Sequence, residues 1–94
     1  MAEFKSLSED KLKEMLEERT LWARMQAGKL LAKEQATAPA KKSYGGTSYI
    51  ITYYDEHIQN YFTIHRIITK EGKVIHEHVK DAFIDGIHYI AKSK

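Results

Sequence analysis

Five histidines, His57, His65, His76, His78 and His88, all lie in the second half of a 94-residue chain, and two of them form the pair His76-Glu77-His78. Side chains two residues apart on a β-strand point to the same face, so this spacing presents two imidazoles together, and imidazole nitrogen suits zinc and other borderline metals. Two ligands do not complete a site. If a turn centred near Gly72 pairs its flanking strands so that partner numbers sum to about 142, His65 faces Glu77 and Arg66 faces His76. His65 then lies on the face opposite the pair, and the reading is that the chain holds neither a metal nor a cofactor. The same register sets an imidazole against a carboxylate, the minimum for general-base catalysis, but with no nucleophile beside it. A cross-strand charge pair is the simpler account, and a non-enzymatic protein is expected.

Lys41-Lys42-Ser43-Tyr44-Gly45-Gly46 joins cations, a ring and flexible backbone in one stretch. It matches neither a Walker A loop nor a dinucleotide fingerprint, which need further glycines and a following helix. With Lys29 and Lys33, the residues Lys41, Lys42 and Tyr44 make a candidate contact for nucleic acid, supplemented by the tyrosines Tyr49, Tyr53, Tyr54, Tyr61 and Tyr89. Tyr53 and Tyr54 are adjacent on an expected strand, so one belongs to the core and the other to the opposite face. Sheets that stack RNA bases interleave cations with their rings. Here the second half carries no net charge, because the +2 of the chain resides before Tyr44.

The absence of cysteine excludes disulfides, thiolate nucleophiles and Cys-based zinc sites. Apolar residues are 43% and charged residues 30%, the composition of a chain that folds. No run approaches the roughly 18 apolar residues of a membrane helix, and the opening MAEFKSLSED lacks a signal-peptide core, so an intracellular, cytoplasmic protein with no membrane partner is expected.

The elements that must position these residues follow from periodicity. Ser8 with Glu9, Asp10 and a Leu7–Leu12 staple reads as a helix start, and the proline-free stretch that follows predicts one long helix over 8–35. Leu12, Met15, Leu16, Trp22, Ala23, Ala27 and Leu30 share one stripe of that helix. From Leu21 onward a second apolar side opens, where Leu21, Met25 and Ala32 take the positions that acidic residues hold earlier. Leu21, Trp22, Met25 and Ala32 are therefore the expected interface of a homodimer, since a surplus stripe must meet another surface.

Residues 36–47 read as a linker around Pro39, Gly45 and Gly46, and residues 48–94 as a β-meander with a C-terminal helix. Tyr49–Tyr54 and Tyr61–Thr69 are dense in β-branched and aromatic residues, and a turn over Thr69–Lys73 with Gly72 left-handed leads to a third strand. Val79, Phe83, Ile87 and Ile90 recur at helical spacing, which favours a helix over 81–91 against a hairpin at Asp85-Gly86. The expected fold is α+β in the order αβββα: a long N-terminal helix, a three-stranded antiparallel meander and a C-terminal helix. Double-stranded-RNA-binding domains share that order but open their last helix with a basic cluster that this chain lacks, and no family is assigned. The function expected from sequence is a self-associating protein-interaction module with an unidentified protein partner, with a nucleic-acid-binding regulator as the alternative.

Overall fold

A computed structural model describes residues 3–40, 46–57 and 59–92. The chain runs β1 (Glu3–Leu7), α1 (Glu9–Glu18), α2 (Leu21–Gln26), β2 (Leu31–Pro39), β3 (Thr47–Asp55), β4 (Asn60–Ile68), β5 (Val74–Ile84) and β6 (Ile87–Ala91). All six strands belong to one sheet of order β1-β6-β5-β4-β3-β2. Strands β2 to β6 form an antiparallel meander, and β1 joins β6 in parallel, so the sheet is mixed. This replaces the αβββα arrangement of a long helix, three strands and a terminal helix.

The long helix is two short ones. Ser8 caps α1 as its sequence suggests, its side chain accepting from the Lys11 N–H. The helix then ends at Glu18 with acidic residues and no basic residue in its last turn, a charge order that works against the helix dipole. Thr20 adopts a left-handed φ of 60°, and α2 starts in a new direction. That break resolves the two-sided apolar pattern. One continuous helix cannot turn Leu12 and Leu16 on one side and Leu21 and Met25 on another toward the same sheet, whereas two helices with a break between them bury all four together with Trp22.

Beyond Gly28, at φ +71°, the chain enters β2, which pairs with β3 from Leu31 to Pro39. The segment expected as helix end and linker is thus an edge strand. Its Ala, Lys and Gln residues have weak strand preference, and the pairing with β3 overrides it. Pro39 sits at the strand's last position, where a missing N–H does least harm.

The tail also forms strands. Asp85 and Gly86 have φ of 52° and 85°, the double left-handed geometry of a tight hairpin turn, so Val79 and Phe83 belong to β5 and Ile87 and Ile90 to β6. Asn60, 2% exposed, secures this turn by accepting the Asp85 N–H through Oδ1 at 3.0 Å.

The core lies between the two helices and one face of the sheet. It joins Leu12, Leu16, Leu21, Trp22, Met25 and Leu30 to Tyr53, Phe62, Ile64, Val79, Ala82 and Ile84. Tyr53 is the core member of its adjacent pair and Tyr54 points to the other face, which no described helix covers. Among the described residues no helix is long and apolar enough to cross a membrane.

Candidate metal centre

The β4–β5 hairpin turns where its sequence predicts. Thr69 and Lys73 close it through backbone and side-chain hydrogen bonds, and Gly72 takes φ 84°. The register beyond the turn is what differs. Ile68 pairs with Val74, but Ile67 pairs with His76, leaving Ile75 as one extra residue in β5. A bulge of this kind sets two residues against one and carries every later residue to the other face. His65 therefore stands opposite His78 rather than Glu77, and Arg66 stands opposite Glu77 rather than His76.

Three imidazoles now share one face. The ring centroids of His65, His76 and His78 are 5.5, 5.0 and 4.7 Å apart, and one nitrogen from each lies within 4.8 Å of the others. The statement from sequence that a third ligand is missing is corrected by the single unpaired residue Ile75. The same register sets Val79 against Ile64 on the core face, and a second shift, between Thr63 and Ile64, leaves Lys80 unpaired and brings Ala82 to that face as well.

Hydrogen bonds already orient the cluster. His78 Nδ1 and His76 Nε2 are 2.7 Å apart, one donating and the other accepting. Ser48, on β3, hydrogen-bonds His65 Nε2. Such a contact fixes the tilt of the ring and leaves Nδ1 as its other binding atom. Burial, followed by the nearby His78, His76 and Lys80, pushes His65 below the usual imidazole pKa. Burial is also the main cause of the lowered value of His78, with His76 and Lys80 adding to it and Glu9 opposing. A metal competes with protons for imidazole, so rings that resist protonation favour it.

The cluster's chemistry is that of a borderline metal. Tetrahedral zinc with Zn–N bonds of about 2.0–2.1 Å holds its ligand nitrogens about 3.3 Å apart, a spacing that lies between the separations seen here. Three neutral imidazoles leave a fourth position for water or for a donor from elsewhere.

On the opposite face Arg66 ion-pairs with Glu77 and donates to the Tyr53 hydroxyl at 3.3 Å. The Arg66–Glu77 pair thus ties the far end of the hairpin to the core rather than to the histidines.

The other residues selected from sequence do not converge. Leu21, Trp22 and Met25 are 2, 6 and 6% exposed within the chain's own core, so the surface expected to pair two helices is already enclosed. Ala32 is exposed on β2, away from them. Lys29 borders a cleft with Arg24, Asp55 and His57, while Lys33 lies on β2 opposite Thr52. Lys41, Lys42 and Tyr44 lie outside the described residues. Lys33 and Asp81 lie on the uncovered sheet face by register, and Lys80, unpaired in the ladder, sits close enough to His65 and His78 to act on their charge.

Searches of protein-family models, curated proteins and solved structures find no match to this chain.

Proposed function

We propose that this chain binds a divalent metal of zinc's class through His65, His76 and His78. The observation that carries the reading is the gathering of three ring nitrogens within 4.8 Å by the β5 bulge. The bound ion would join β4 to β5, and Ser48 would hold the His65 ring in place. In this reading the protein is a metal-binding module whose fourth coordination position faces away from the core, open to water or to a partner's donor.

The test is titration of the metal-free chain with zinc, by calorimetry, and with cobalt(II), whose visible spectrum reports tetrahedral coordination. One ion per chain is expected, with the signal lost in His78→Ala and in His65→Ala. Absence of saturable binding, or binding that survives both substitutions, would overturn the proposal.

A further inference from the structure

The second register shift of the β4–β5 ladder leaves Lys80 without a partner, between Val79, opposite Ile64, and Asp81, opposite Thr63. Val79 is buried on the core face, so strand alternation puts Lys80 on the other face, next after His76 and His78 along β5. Lys80 is exposed, and its ammonium is near enough to His65 and His78 to disfavour protonation of both rings. Three imidazoles and a fixed positive charge thus share one patch.

That patch is open to approach. Strand β6 pairs with β5 only from Asp81 to Ile84, so His76, His78 and Lys80 stand on a stretch of β5 that β6 does not flank. Across the ladders the neighbours are aliphatic, with Ile50 opposite His65 and Ile67 opposite His76, and they offer no competing acceptor. Two carboxylates border the patch. Glu9, in the first turn of α1, favours protonated His78, and Asp81 turns to His88, with Oδ2 and Nε2 3.2 Å apart. Arg66 and Glu77 pair on the opposite face. Among the described residues no carboxylate joins the three ring nitrogens, so the chain's own acids leave the fourth position free.

A metal of zinc's class held by three neutral imidazoles brings its whole double positive charge to that fourth position, and Lys80 adds another beside it. We infer that the position takes an oxyanion from outside the chain, a phosphate or a carboxylate, with one oxygen on the metal and a second accepting from the Lys80 ammonium. This rests on the metal reading of His65, His76 and His78 and names what that site binds. A halide has no second atom for Lys80, and a neutral donor leaves both positive charges unanswered. Lysine suits the role because its flexible four-carbon stem carries a compact point charge, and charge-assisted bonds to phosphate or carboxylate oxygen belong to the stronger class.

The test uses the full chain loaded with cobalt(II) in chloride-free buffer, after calorimetry has counted the bound ion. Inorganic phosphate and acetate are titrated separately, and the visible spectrum reads replacement of water at the metal. A saturable change is expected, and comparing the two titrations identifies the oxyanion preferred. Lys80→Ala should weaken that binding roughly tenfold while cobalt affinity is kept, and Lys80→Arg should retain most of it. Glu9→Gln, which removes a repelling charge, should tighten it. A cobalt-loaded chain indifferent to both anions overturns the inference and leaves the metal site standing, as does an anion affinity unchanged in Lys80→Ala. If no cobalt binds, calorimetry shows it before any anion is added, and both readings fall.

Discussion

Zinc should raise the melting temperature of this chain by an amount set by how nearly the site is formed. The three nitrogens lie within 4.8 Å, against about 3.3 Å in a tetrahedral zinc site, so the widest gap must close by about 1.5 Å. The 2.7 Å contact between His76 and His78 must open by about 0.6 Å. Both are movements of ring tilt, of order 0.5–1.5 kcal/mol per strained side chain, with about 1 kcal/mol more for the lost hydrogen bond. These costs weaken binding without preventing it. With free zinc a hundredfold above the dissociation constant, linkage adds about 2.7 kcal/mol of stability. At about 4–8 °C per kcal/mol for a domain of this size, the melting temperature rises by about 10–20 °C.

Differential scanning fluorimetry in EDTA and in excess zinc reads this shift. Ser48→Ala removes the bond that orients His65, and supporting contacts of that kind are worth about 10–100-fold in metal affinity, so the shift at the same zinc concentration should fall by several degrees. His78→Ala should abolish it while leaving the melting temperature in EDTA near that of the parent. A chain whose melting temperature is indifferent to zinc, or a shift that persists in His78→Ala, would refute the reasoning.

The remaining predictions test the frame. Phe62, fully buried and stacked near Trp22 and Tyr53, should cost about 3–5 kcal/mol when changed to alanine, measured as a lower urea midpoint. Gly86→Ala meets no atom within 4 Å, so its cost is backbone alone, about 1–2 kcal/mol for forcing a left-handed residue, and a chevron should place most of it in faster unfolding if the β5–β6 hairpin forms late. The Arg24 guanidinium, 2.9 Å away, holds buried Asp55 below its ordinary carboxylate value of 3.8. A depressed folded pKa gives stability that is present above that value and lost as pH falls through the folded one, so Asp55→Asn should be less stable at neutral pH and show a shallower acid limb in denaturant titrations.

What could be read from sequence was local. Ser8 caps its helix because a side-chain oxygen three residues from a free N–H needs no tertiary partner, and Gly72 turns its hairpin because left-handed backbone is a property of glycine. Tyr53 and Tyr54 divide between faces by strand alternation alone. What failed was decided at a distance. Leu21 and Met25 are legible as apolar but not as core, because their orientation depends on a break at Thr20 that no proline or glycine announces, whereas Trp22 already shares the core stripe of Leu12 and Leu16. Strands β1 and β2 draw their hydrogen bonds from β6 and β3, and nothing within EFKSL or LAKEQATAP demands an extended chain.

The histidines show how fine that dependence is. A regular hairpin through Gly72 divides them between two faces, and the ladder keeps that register at Ile68 and Val74, the first pair after the turn. Beyond that pair the core decides. Val79 must meet Ile64 beneath the helices, and an unbulged ladder would instead turn Val79 outward and His78 inward, exchanging a buried aliphatic side chain for an imidazole. Burying a valine contributes about 1.5–3 kcal/mol, and desolvating an imidazole costs as much again, which exceeds what the ladder loses at one bulge. Hydrophobic packing on one face of β5 therefore selects the register that assembles three imidazoles on the other. A reader of the sequence who lets the core choose the register, and the turn follow, obtains the cluster from Ile64, Val79 and strand alternation alone.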